Sequence, residues 1–340
     1  MSTLAGWQLT GVFVISAAVL VGSGFDLARS ADQIVARTRL TAVFVGAIFM
    51  AIATSLPEAV TAVAATLEGS PDLAVGDLFG SSMANMAILA VLDLAYRGRV
   101  WPTVGLDHAR VASLATVLTG LAVVGILDPS GVRIGPLGIL PVVITGVYIA
   151  ALAWFRRSPE SLRTVKSPLR PDDSERAEVL PNGRSVRGFG LRFCLAALVI
   201  VMSAPLVASS TQEMANRTGI SETFAGVALL AVTTSLPELI TSLGALRLGA
   251  FDLAVANLFG SNAANVALLV FVDLAHGSQS VLGAGSSSLA VAGVGAIVMM
   301  ALAVAAIVHG SETRIWRLEP DALVLLVAYV LLLAAVARAG

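Results

Sequence analysis

Residues 53–58 read Ala53-Thr54-Ser55-Leu56-Pro57-Glu58, and residues 233–238 read Thr233-Thr234-Ser235-Leu236-Pro237-Glu238. The likeness extends outward from these hexapeptides. Gly46–Tyr96 aligns without a gap on Gly226–His276 at a constant offset of 180, with 25 identities in 51 positions. Apolar helices match by chance at Ala, Leu and Val. These segments also match at Ser81/Ser261, Asn85/Asn265 and Asp93/Asp273, so the chain is an internal duplication.

The surroundings of each copy belong in lipid. Of the 340 residues 57% are hydrophobic and only 13% charged, with a mean hydropathy of +0.88, against about 25% charged residues in soluble domains. A spanning helix needs roughly 20 mostly apolar residues. Ten segments qualify: 8–25, 40–67, 72–95, 111–127, 133–155, 190–210, 220–247, 252–274, 286–308 and 320–338. Five fall in each half. Five is odd, so the second half enters the membrane upside down, the inverted-repeat plan of many secondary transporters. The expected fold is therefore an all-α membrane protein of ten transmembrane helices in two inverted five-helix repeats. The expected units are 1–155, a polar loop over 156–189, and 190–340, with the doubled motif at 46–96 and 226–276. The first segment has no basic region before it and reads as a retained helix, not a cleaved signal peptide.

Charge gives the orientation. With the N-terminus outside, 18 of the 21 basic residues lie on the cytoplasmic side, nine of them in or beside the central loop; Arg133, Arg217 and Arg338 stay outside. Trp7, Trp101, Trp154 and Trp316 fall near helix ends, as interfacial tryptophans do. Cys194 is alone and forms no intrachain disulfide. A net charge of −1 with no basic patch, zinc spacing or P-loop gives no reason to expect nucleic acid, structural zinc or nucleotide.

Glu58 and Glu238 sit well inside helices two and seven. A central acid costs about 2.5–3.5 kcal/mol on insertion scales, and no Lys or Arg lies within a predicted helix core. Cations or protons remain as compensation. Thr54 and Glu58 are four apart and share a helical face. Pro57 and Pro237 lack an N–H and free the carbonyls of Ala53 and Thr233. Ser81 with Asn85, and Ser261 with Asn265, repeat the four-residue spacing on the next helix, where Gly80 and Gly260 permit close approach. Every donor is an oxygen or an amide. That set suits calcium, with its 6–8 oxygen ligands, and sodium, not zinc or copper.

These motifs resemble the alpha-repeats of the sodium/calcium exchanger family, whose first-repeat pattern is Gly-Thr-Ser-Leu-Pro-Glu followed by Gly-Ser-Asn-x-x-Asn. The resemblance implies that Glu58 and Glu238 bind both ions. It also implies that Thr54, Ser55, Ser81, Thr234, Ser235 and Ser261 supply hydroxyl or carbonyl ligands, that Asn85 and Asn265 complete the centre, and that helices one and six slide to alternate access. The expected protein is not an enzyme and uses no cofactor. Its partners are the bilayer of a plasma (inner) membrane and the transported calcium and sodium ions, with no obligatory protein partner. Three residues depart from the family. Asn265 stands where many members have aspartate, Ser82 replaces an asparagine, and Asp77 replaces another. Two central carboxylates leave a proton-coupled calcium antiporter open as an alternative, and paired acids can also line a cation channel.

Other polar residues read more plainly. Asp77 lies eight residues before Asn85 on roughly the same face, where it would restore a charge near the site; it is assigned instead to a vestibule because its second-half equivalent is the neutral Asn257. Asp93 and Asp273 read as solvated or helix-pairing, Asp72 and Asp252 as serving helix dipoles, and His108, His276 and His309 as solvated.

Overall fold

The computed structural model describes residues 4–38, 40–95, 105–128, 132–157, 186–218, 231–277, 279–283, 285–309 and 319–339. Residues 158–185 of the expected central loop, residues 220–230 of the seventh expected helix, and Trp101 and Trp316 lie outside them. The helices are α1 (Gly6–Arg37), α2 (Ala42–Leu67), α3 (Pro71–Ala95), α4 (Leu106–Leu127) and α5 (Ile139–Arg157) in the first half. The second half has α6 (Val186–Thr218), α7 (Ala231–Thr234 and Leu236–Arg247), α8 (Phe251–His276, interrupted at Leu268), α9 (Ser287–His309) and α10 (Pro320–Ala339). Among the described residues eight are long and apolar enough to span a bilayer, and Ile139–Phe155 is a shorter apolar helix. The remaining one, α7, is described from Ala231 onward.

Burial orders the bundle. The most apolar windows of α3 and α8 are each 83% buried and that of α2 67%, whereas α1 and α10 reach only 28% and 17%. The helices bearing the doubled motif are thus wrapped by the others. Exposed Ile15, Leu198, Met202, Val330 and Leu331 form part of an apolar outer surface, which in lipid is the solvated one.

Three segment boundaries differ from expectation. Helix α1 runs 32 residues and α6 33, beyond the apolar stretches 8–25 and 190–210; the α1 charges past Phe25, Asp26 and Arg37, find partners on α6. Arg192 donates to Asp26 at 2.9 Å, and Arg37 lies over the Phe189 ring at 4.5 Å. At 1.5 Å per residue such a helix is about 48 Å long, against a hydrocarbon core of about 30 Å. Helix α5 begins at Ile139, not 133. Before it Arg133–Ile134 (β1) and Leu137–Gly138 (β2) pair as an antiparallel ribbon. Its turn is Gly135-Pro136, with Gly135 at φ 62, a conformation cheap only for glycine.

The two motif helices respond differently to their prolines. Helix α2 stays helical through Pro57 and instead widens to a π-helix at Val45–Met50, the kind of bulge that marks functional segments. Helix α7 breaks at Ser235, and Pro237 sits in the first turn of its second piece, where a missing N–H costs nothing.

Candidate cation site

The site forms where α2 crosses α8. Gly260 permits the crossing: a Cβ there would run into the backbone of Ala47 in the π-helical turn. A Cβ on Gly46 would stand 2.8 Å from that of Ala256. The two backbones therefore meet as closely as glycine allows, and this sets Thr54 against Ser261.

Hydrogen bonds across this centre come in mirrored pairs. Thr54 Oγ1 lies 3.2 Å from Ser261 Oγ, and Ser81 Oγ lies 3.1 Å from Thr234 Oγ1. Adding the 180-residue offset turns the first pair into the second, so the halves are related by pseudo-twofold symmetry in three dimensions. The threonines continue the pattern: Thr54 lies within donating distance of Asn257 Oδ1 at 3.3 Å, and Thr234 of Asp77 Oδ1 at 3.1 Å.

The acids lie beside these pairs. Glu58 and Glu238 are both 0% exposed. Glu238 projects toward Thr54, Ser261 and Glu58, yet none of the four carboxylate oxygens has a hydrogen-bond partner among the described residues. A buried carboxylate without compensation costs several kcal/mol, so these oxygens call for cations or protons. Among the described residues no three His, Cys, Asp or Glu side chains gather as a metal cluster. The donor set is two facing carboxylates with neutral oxygens around them.

All ten residues expected in the site are buried in α2, α3, α7 and α8. Asn85 Nδ2 donates to Asn262 Oδ1 at 2.9 Å, and Asn262 Nδ2 donates to the Ser82 carbonyl at 3.2 Å. Ser55 Oγ, Ser235 Oγ and both amide atoms of Asn265 have no partner among the described residues, so no hydrogen bond there ties them to the rest. Sequence reasoning missed Asn257, Thr241, Ser242 and Asn262, which join the network: Asn257 Nδ2 donates to Thr241 Oγ1 at 3.1 Å and to Ser242 Oγ at 3.3 Å. The identity of Thr61 with Thr241 in the repeat was the signal available for one of them.

Several polar residues stand elsewhere than expected. Asp77 is not in a vestibule: it is 3% exposed and bonded to Thr234. Asp93 and Asp273 are fully buried, so of the two expected roles the solvated one fails and the helix-pairing one holds. Asp273 accepts from Gly138 N at 2.6 Å and Val281 N at 2.7 Å, and Asp93 accepts from Glu319 N at 3.0 Å. Each thus holds the start of the fifth helix of the opposite half. His108, expected to be solvated, is 1% exposed, with Nε2 3.7 Å from Asp252 Oδ1. Its ring closes the gap between the start of α4 and that of α8.

Known proteins resemble this chain in sequence and fold. The sequence profile described as sodium/calcium exchanger protein matches residues 8–156 and 189–338, both halves. The inner membrane protein YrbG of Escherichia coli (strain K12) is 28% identical over 263 residues, covering 77% of this chain and 78% of its own. The sodium/calcium exchanger MaX1 of Methanosarcina acetivorans is 37% identical over a 76-residue stretch, 22% of each chain. A structure of the sodium-calcium exchanger NCX_Mj soaked with Na+ and Sr2+ superposes with a TM-score of 0.71 at 19% identity, covering 96% of this chain and 98% of that one. The fold is that of two repeats of five helices, and the protein is a multi-pass membrane transporter, not an enzyme. With both halves matched over nearly their whole length, the chain belongs to the sodium/calcium exchanger family.

Proposed function

We propose that this antiporter exchanges sodium for calcium by alternating access at the pocket between α2, α3, α7 and α8. The observation that carries the reading is the set of four buried, unpartnered oxygens on Glu58 and Glu238, flanked by the Thr54–Ser261 and Thr234–Ser81 pairs. One divalent cation neutralises two carboxylates, and so do two monovalent ones. Either occupant relieves the same buried charge, and occupation by one excludes the other, which is the physical basis of exchange. Calcium accepts 6–8 oxygens at about 2.3–2.6 Å; the two carboxylates with the hydroxyls of Thr54, Thr234, Ser81 and Ser261 supply that many. Ser55, Ser235, Asn85 and Asn265 are the further ligands in this reading. Pseudo-twofold symmetry makes the pocket equally approachable from either face, and sliding of the α1–α6 pair opens one approach while closing the other.

Proteoliposomes loaded with sodium should take up calcium when diluted into choline medium, and replacing internal sodium by choline should abolish uptake. Glu58→Gln and Glu238→Gln should each be inactive while reconstituting normally. Uptake indifferent to sodium would refute sodium coupling. The two facing carboxylates also favour a second reading, in which two protons replace sodium; calcium uptake driven by a pH gradient alone would select it. Flux that depends on no counter-ion would mark a channel instead. The basic-residue asymmetry supports a plasma-membrane protein with the N-terminus outside and the central loop cytoplasmic. An impermeant thiol reagent should then reach a cysteine placed at Ser167 only from the cytoplasmic face.

A further inference from the structure

The mirrored hydrogen bonds differ at one pair of positions in a way that carries charge. Asp77 and Asn257 are equivalent by the 180-residue offset, and through one side-chain oxygen each meets the motif threonine of the opposite half. Their second atoms are unlike. Asn257 Nδ2 donates to Thr241 and Ser242. Thr241 can accept because its own proton goes to the Pro237 carbonyl at 2.7 Å. The residues equivalent to Thr241 and Ser242 are Thr61 and Ala62. Thr61 likewise donates to the proline carbonyl, Pro57 O, at 2.9 Å, and Ala62 offers no hydroxyl. A carboxylate oxygen thus occupies the place of an amide donor, and the groups in the equivalent positions have no proton for it. In keeping with this, Asp77 Oδ2 is buried without a hydrogen-bond partner among the described residues.

We propose that this oxygen ligates a cation: Asp77, with Ser81 and Thr234, forms a flank of the pocket for a monovalent hard cation beside the Glu58–Glu238 pair. One negative charge with neutral hydroxyls matches one monovalent ion, while a divalent ion is better served by two facing carboxylates. Soft metals find no thiolate or imidazole here. This inference rests on the cation reading of the pocket and adds to it a third carboxylate, which makes the two flanks chemically unlike although their backbones are related by symmetry.

The test is displacement of radiolabelled calcium from the purified full-length protein by sodium chloride, with choline chloride as control. Asp77→Asn copies Asn257 and has the shape of a protonated aspartic acid. In this variant the sodium concentration for half-displacement should rise by at least about 10- to 100-fold, the range by which losing even an outer-shell partner of a metal ligand weakens binding. The displacement curve should become shallower, and calcium affinity without sodium should change less. Sodium displacement identical to wild type overturns the proposal. If the variant does not fold, wild-type protein carrying isotope-labelled aspartate takes its place, and sodium should shift an aspartate carboxylate stretch in the infrared. Aspartate bands indifferent to sodium overturn the proposal equally. Wild-type protein that binds neither ion removes the cation reading and this proposal together. Wild-type protein that binds both, with Asp77→Asn unchanged, removes only the second.

Discussion

At the scale of the residue, Glu58 and Glu238 are a liability to the empty protein and an asset to the loaded one. A ligand that binds only the native state stabilises it by RT ln(1 + [L]/Kd), about 2.7 kcal/mol at a hundred times Kd. Calcium should therefore raise the melting temperature of the wild type in detergent. Glu58→Gln should melt no lower than the ion-free wild type, because a buried amide costs less than a buried charge, and calcium should leave its melting temperature unmoved. Differential scanning fluorimetry with and without calcium checks both outcomes. The two glutamates were legible in the sequence because they are doubled and because acids in lipid are rare. Asn262 keeps the asparagine of the Gly-Ser-Asn pattern and was passed over because the first half carries Ser82 there. It acts through a partner, Asn85, that spacing places on another helix. Asp77 was misjudged for a related reason: its neutral equivalent argued for a bystander, whereas contact with Thr234 across 157 positions of sequence was invisible.

At the scale of the element, spacing and hydropathy located the helices but not their ends. Helices α1 and α6 outrun their apolar stretches, and the α1 charges past Phe25 meet partners on α6, which no single-segment reading sees. The Gly135-Pro136 pair before α5 was the available sign of a turn, and a run of apolar residues on both sides masked it. The start of α5 is held by Asp273, which takes two backbone N–H groups, one of them from β2. Asp273→Ala leaves both unsatisfied and should cost about 1–3 kcal/mol for each buried donor left without water. The expected result is a lower melting temperature with calcium affinity in the remaining folded protein unchanged, because among the described residues no hydrogen bond links Asp273 to the pocket.

At the scale of the molecule, the duplication and its odd helix count were enough to read two inverted repeats, and the Thr54–Ser261 and Thr234–Ser81 pairs express that symmetry in distances. In the proposed alternating access, α1 moves past α7. Their seam is tight: a Cβ on Gly24 would lie 3.3 Å from that of Ile240, and Arg247 sits over the Phe25 ring at 4.9 Å. A disulfide needs Cβ atoms about 3.5–4.5 Å apart, so cysteines at these two positions, with Cys194→Ser, should bridge after a small adjustment. Oxidation should stop calcium flux, reductant should restore it, and calcium binding in detergent should persist through both. Flux that survives oxidation would show that this seam does not move.

The reciprocal clasps of Asp93 and Asp273 bear on how the protein is made. Asp273, near the end of α8, seats the start of α5, and Asp93, at the end of α3, seats the start of α10. As the first half enters the bilayer, α5 packs on α4 of its own half, but Gly138 N at its start gains its acceptor only when α8 brings Asp273. Neither half contains the residue that completes it. In its assembly the chain behaves like a pair of domain-swapped subunits joined by a tether, and the order of synthesis fixes which half waits.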